Sequence, residues 1–194
     1  MSEENIPLFP LSNMLFPQQR LELQIFEQRY LSLVSECLRH GTGFGVVQIR
    51  EGREVGPAAQ VFQVGVEATI VDWTQRPNGL LGITIEGGRK FRLLSTEVQP
   101  DELMRARVQW LADEPQIEVP EQFLGLQELC QQLKQHPAVQ AFKLPPLVCS
   151  RDLGWQLCQL LPLSAADKVN LLSLDDPMER LQRLAEQVAN LSQE

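Results

Sequence analysis

At 194 residues, with 43% apolar and 22% charged side chains, the chain can bury a core and is too apolar for a disordered segment. Its formal net charge of −8 and pI of about 4.9 repel a phosphate backbone, which disfavours nucleic acid as a partner. No apolar run nears the ~18 residues that span a bilayer, and the acidic start at Met1 to Asn5 lacks the basic and apolar regions of a signal peptide, so a cytoplasmic protein without membrane contact is expected.

The first half alternates short β-type runs with turn signals. Ile6 to Leu11 carries Pro7 and Pro10, which forbid a helix and suit an extended or edge strand. Leu21 to Ile25 alternates apolar and polar residues, as a half-buried strand does. Glu27 to Leu38 reads as a helix, with Tyr30, Leu31, Val34, Cys37 and Leu38 on one face and Gly41 as its stop. Gly43 to Ile49 is a short apolar strand. Val61 to Trp73 and Leu80 to Glu86 are β-rich runs joined through Asn78-Gly79, a dipeptide suited to a tight hairpin turn. Gly87-Gly88 reads as a second tight turn, leading into Arg89 to Val98. A last strand, Met104 to Leu111, alternates Met104, Ala106, Val108 and Trp110 against polar neighbours. Antiparallel strands with one inserted helix predict a small, partly closed β-barrel.

The periodicity turns helical beyond the stretch Asp113 to Pro120. We therefore expect a β-barrel subdomain over residues 1–115 and an α-helical subdomain over residues 116–194. Glu121 to His136 sets Phe123, Leu126, Leu129, Cys130 and Leu133 on one stripe and stops at Pro137. A helix around Asp152 to Leu161 follows. Ser164-Ala165-Ala166-Asp167 resembles a capping box, and Asp176-Pro177-Met178-Glu179 places proline at a first helical position. The final helix turns Leu181, Leu184, Val188 and Leu191 inward. The fold class is α+β, a barrel followed by a bundle of about four helices.

Catalytic chemistry finds little support. The phosphate-binding pattern G-x-x-x-x-G-K-[ST] is absent. Gly87-Gly88-Arg89-Lys90 lies between strands and reads as a turn. His40 and His136 sit at helix ends. Cys130 and His136 are six residues apart on one helix, a rotation of roughly 600° that turns them away from each other. Ser164 and Lys168 have i, i+4 spacing, but Ser164 is better read as a cap. The four cysteines form no C-x-x-C pair and read as small buried hydrophobes. No catalytic residue, metal or cofactor is expected.

Several segments together resemble one family. Pro7-Leu8-Phe9-Pro10-Leu11 through Phe16-Pro17 is similar to the opening strand and loop of the amino-terminal domain of Lon proteases. Phe26-Glu27-Gln28-Arg29-Tyr30 resembles that family's F-E-x-R-Y helix start. Phe44-Gly45-Val46-Val47, Val64-Gly65-Val66, Gly88-Arg89-Lys90-Phe91-Arg92-Leu93 and Leu161 to Leu172 resemble its later segments, with the order of Arg89 and Lys90 departing slightly. The resemblance implies a PUA-like pseudo-barrel with one inserted helix, followed by a C-terminal helical bundle. It also implies a substrate-recognition domain without the ATPase and serine–lysine peptidase parts, which would begin where this chain ends.

The function expected from the resemblance is non-catalytic recognition of protein or peptide clients, as an adaptor or regulator that could serve a protease in trans. Candidate contacts are loop positions offering apolar groups: Met14, Leu15 and Phe16, then Trp73 and Pro77 around the hairpin. The alternative is an RNA-binding PUA-like module, whose basic cluster would be Arg89, Lys90 and Arg92.

Overall fold

The computed structural model describes residues 3–140, 142 and 144–191. Of the acidic start, Met1 and Ser2 lie outside the described residues. The chain divides into two compact units, Met1–Ala112 and Asp113–Glu194.

The first unit contains six strands and one helix: β1 (Glu3–Leu11), β2 (Arg20–Ile25), α1 (Gln28–His40), β3 (Phe44–Glu51), β4 (Gln60–Gln75), β5 (Leu81–Val98) and β6 (Met104–Trp110). The pairing order β2-β5-β4-β3-β1-β6 closes through an additional β5–β6 ladder. Five strands therefore form a ring, and β2 is attached outside it along the first half of β5. The result is a pseudo-barrel rather than a clean barrel.

Two departures from regularity build this ring. β1 pairs antiparallel with β6 over Glu3–Pro7, then parallel with β3 over Leu8–Leu11. Each half has a ladder on one side only, so Pro7 and Pro10 fit a strand that changes neighbours. Gly87-Gly88 is no turn. β5 runs through it unbroken, and neither glycine has a positive φ. Val66 pairs with Lys90 and Ala68 with Gly87, so Gly88 and Arg89 stand opposite Glu67 alone as a bulge. The bulge lets β5 bend from its ladder with β2 to its ladder with β6.

The interior is packed by Ile6, Leu8, Val47, Phe91, Leu93 and the predicted β6 series Met104, Ala106, Val108 and Trp110. Each buried valine, leucine, isoleucine, methionine or phenylalanine among them contributes about 1.5–3 kcal/mol. Gly65 makes room for the centre: a Cβ there would stand 2.5 Å from the tip of the Phe91 ring. Phe91 meets Trp110 edge to face at 5.8 Å, and the Trp110 indole donates to Glu4 at 2.9 Å.

Two hairpins share one turn design. In the first, Gly79 N–H donates to the Arg76 carbonyl and Arg76 N–H to the Leu80 carbonyl; in the second, Glu102 donates to Gln99 and Gln99 to Leu103. Gly79 and Glu102 take the left-handed position, at φ 82° and 66°. Asn78 and Asp101 each accept from the backbone two residues on, at 3.2 and 3.1 Å.

The second unit is helical: a 3₁₀ turn at Glu121–Phe123, then α2 (Leu124–Gln135), the single turn α3 (Pro137–Gln140), α4 (Ser150–Leu160), α5 (Ala165–Ser173) and α6 (Pro177–Leu191). α4 is buried from Asp152 to Cys158 and lies against both α2 and α6. Ser164 caps α5 by accepting from Asp167 N–H at 3.1 Å. The segment before α2 belongs to this unit. Ser150 donates its N–H to Ile117 and its hydroxyl to Glu118, both at 2.8 Å. No described helix is long and apolar enough to cross a membrane.

Candidate functional site

The motif Phe26-Glu27-Gln28-Arg29-Tyr30 sits where β2 hands over to α1. Glu27 is extended, at φ −78° and ψ 137°, and its carbonyl accepts from Tyr30 and Leu31 to start the helix. That sharp change of direction leaves Phe26 54% exposed and turns Tyr30 inward, where its ring stacks on Phe9 at 4.0 Å. Burial pushes the Tyr30 hydroxyl up to about 12; Arg29 opposes this, while Glu27 and Glu54 reinforce it. Tyr30 is therefore a neutral phenol across the physiological range.

Arg29 anchors the surrounding loops. Its guanidinium donates to the carbonyls of Glu102 at 3.1 Å and Gly56 at 2.9 Å, and pairs with Glu27 at 2.9 Å. Gly52 and Gly56, at φ 113° and 95°, shape the loop between β3 and β4. That loop presents Val55 at 53% exposure, and Glu54 accepts from Ser12 N–H at 2.6 Å.

These parts enclose an open groove of about 300 Å³. Phe9, Leu11, Ile25 and Tyr30 form its buried floor, with Leu23 half-buried beside them. Phe26 and Val55 stand exposed on its rim, and Glu22, Gln24, Glu27 and Glu54 supply its polar lining. β2 runs along it and, among the described residues, pairs with β5 alone, so its other edge is open. No lining residue is a serine, cysteine, histidine or lysine. The apolar floor and the unpaired strand edge are suited to holding an extended apolar segment.

The loop residues expected to offer apolar contacts are not on the surface. Met14, Leu15 and Phe16 are 5%, 0% and 1% exposed. The cause is the way their loop folds back on β5: Gln18 N–H donates to Gly87 at 2.7 Å, Gly87 N–H to Gln19 at 2.9 Å, and Phe16 N–H to the Gln19 side chain at 2.9 Å. The backbone polar groups are met at the sheet, and the side chains go inward. Trp73 is 63% exposed, beside Val71 at 44%, and Pro77 is exposed at the hairpin tip. The structure does not bring Trp73 or Pro77 into the groove lining.

The other candidates are occupied structurally. Ser164 caps α5, and its hydroxyl donates to the Asp167 carboxylate at 2.5 Å. All four cysteines are buried and free of disulfides. Burial pushes the Cys130 thiol up and the Cys158 thiol to about 12, which makes them poor nucleophiles. Of the basic cluster, Lys90 is 5% exposed and Arg89 pairs with Glu67 at 3.0 Å while lying over the Trp110 ring. Arg89 and Arg92 are exposed and Lys90 is buried, so the three do not present one continuous exposed cluster.

Sequence reasoning did not single out Val55, Glu54, Leu23 or Phe26 as groove residues. The available signals were Gly52 and Gly56 flanking Val55, and an aromatic residue placed just before the helix start.

The family model for the ATP-dependent protease La (LON) substrate-binding domain matches residues 5–190. The Lon protease of Cytophaga hutchinsonii is 28% identical over 185 residues, covering 90% of this chain and 23% of its own length. The Lon protease of Escherichia coli strain K12 is 24% identical, covering 92% of this chain and 24% of its own. This chain thus spans about a quarter of the curated relatives it matches. Among solved structures, the Lon N-terminal domain protein from Xanthomonas campestris is 31% identical with a TM-score of 0.79, covering 94% of this chain and 98% of that one. The N-terminal domain of Mycobacterium avium complex Lon protease shares the fold at a TM-score of 0.66 and 15% identity.

Proposed function

We propose, because this chain belongs to the ATP-dependent protease La (LON) substrate-binding domain family, that it is a non-catalytic module recognising exposed apolar segments of client proteins. The observation that carries this reading is the groove beside β2, with an apolar floor, the exposed rim residues Phe26 and Val55, and an open strand edge. A client would bury apolar side chains against Phe26 and Tyr30 while its backbone pairs with β2. One buried leucine or phenylalanine contributes about 1.5–3 kcal/mol. Micromolar affinity needs about 8 kcal/mol, so several anchors and the edge pairing must act together. We propose the same role in the cytoplasm, as an adaptor or regulator of proteolysis that delivers clients to a protease in trans. Trp73 and Pro77 on the hairpin remain a proposed second contact.

The test is binding of a fluorescently labelled, permanently unfolded protein, followed by anisotropy. Phe26→Asp and Val55→Asp should each weaken binding by tenfold or more, about 1.4 kcal/mol, with unchanged circular dichroism. Wild-type affinity in both folded variants sinks the groove assignment. If Trp73→Ala alone lowers affinity, the hairpin carries the contact instead. Incubation with casein, with and without ATP, should give no cleavage.

A further inference from the structure

The groove's charge and strand period say more about its occupant. Resting on the recognition reading above, we propose that it selects extended segments in which apolar residues alternate with lysine or arginine. The charged side chains lining the groove, Glu22, Glu27 and Glu54, are all carboxylates. Glu27 is compensated by Arg29 at 2.9 Å, and Glu54 accepts one backbone N–H at 2.6 Å. Glu22 pairs with Arg76 at 2.8 Å, but its side chain is 70% exposed, and such a surface pair is weak enough for an incoming cation to displace. The whole chain carries a formal −8, which steers cationic segments toward it.

The alternation follows from β2. Glu22 and Gln24 are exposed on one face, while Leu23 and Ile25 face the groove floor. A segment added to the open edge of β2 has the same period. Residues level with Leu23 and Ile25 meet the apolar floor, and residues level with Glu22 meet its carboxylate. Opposite charges on neighbouring strands favour that register, and an acidic segment is disfavoured.

The experiment compares two labelled alternating peptides that share their apolar residues and carry lysine or glutamate between them. Anisotropy is measured with the whole chain at low and high salt. The lysine peptide should bind about tenfold tighter or better, the advantage should shrink at high salt, and Glu22→Gln combined with Glu54→Gln should nearly abolish it. Methylation of alternate backbone amides should weaken the lysine peptide by a similar factor. Equal binding of both peptides, lost in Phe26→Asp, overturns the charge selection and leaves the groove reading standing. Binding of neither peptide overturns both. An advantage that persists in the folded double variant, or binding indifferent to amide methylation, also overturns the inference.

Discussion

The guanidinium of Arg180 holds both carboxylate oxygens of Glu114, at 2.7 and 2.6 Å, inside the helical unit. Arg180 is fully buried, with its Cζ 3.4 Å from the centre of the Trp155 ring. Its remaining donors reach the carbonyls of Leu171 at 3.2 Å and Leu174 at 2.7 Å, at the end of α5. One side chain on α6 thus ties together the segment before α2, the face of α4 and the end of α5. Removing one partner strands a buried charge. Arg180→Ala should cost about 3–5 kcal/mol in urea unfolding. The double variant Arg180→Met, Glu114→Met should lose less than the single one, because no charge is left unpaired. A single-variant loss below about 1 kcal/mol would contradict this assignment.

The two hairpins give a pair of opposite expectations. Glu102 occupies the left-handed position that Gly79 takes in the other turn, at φ 66°. A side chain there costs about 1–2 kcal/mol, so Glu102→Gly should raise the urea midpoint. Gly87 needs the absence of a side chain for another reason: a Cβ would stand 2.1 Å from the Phe16 carbonyl oxygen. Gly87→Ala should therefore destabilise by about 1–3 kcal/mol, because the loop holding Phe16 must move. Equal and small effects at both sites would show that neither backbone is as tightly determined as described.

What the sequence conveyed differs from element to element, for physical reasons. The alternation of Met104, Ala106, Val108 and Trp110 was readable because β6 has one face inside the ring. Gly41 ended α1 as expected, in the left-handed conformation at φ 65°. Gly87-Gly88 misled, because the same dipeptide serves a tight turn or a bulge, and the contact with Phe16 that decides between them is far away in sequence. Met14 to Phe16 misled similarly: a loop between strands looks exposed until its partners on β5 are known. The groove itself combines β1, β2, the start of α1 and the loop after β3, so no local pattern announces it. Arg180 was invisible for the same reason, since a lone arginine on an amphipathic helix ordinarily faces solvent.

Thiol chemistry and alkaline stability share a cause. All four cysteines are buried, and Cys37, Cys130 and Cys158 are pushed above the ordinary thiol value, chiefly by burial. A disulfide-exchange reagent at mild pH should find no fast-reacting thiol in the native protein and four after denaturation. The folded values of Cys158 and Tyr30, about 12 each, lie above the ordinary 9.0 and 10.0. Raised values mean that their contribution is complete below the unfolded value and is lost as pH rises through the folded one. The urea midpoint should therefore fall progressively from about pH 9 to pH 12. Tyr30→Phe should flatten part of that decline, and an unchanged slope in the variant would assign it elsewhere.

Arg29 offers the sharpest separation of scaffold from site. Its two carbonyl partners, Gly56 and Glu102, both belong to positive-φ residues on different loops, and Gly56 follows the rim residue Val55. Lysine keeps the charge but lacks the planar fork that reaches two carbonyls and a carboxylate at once. Arg29→Lys should lose about 1.5–3 kcal/mol of stability, the range for hydrogen bonds made by a charged group. The loop bearing Val55 and Glu54 should then exchange its amide hydrogens faster while the ring strands stay protected. Because that loop forms one wall of the groove, client binding should weaken more than the modest stability loss alone would cause. The measurement is hydrogen exchange alongside anisotropy on the same folded variant. Faster exchange at residues 52–59 with unchanged client affinity would separate the loop from recognition and confine the contact to Phe26 and the β2 edge.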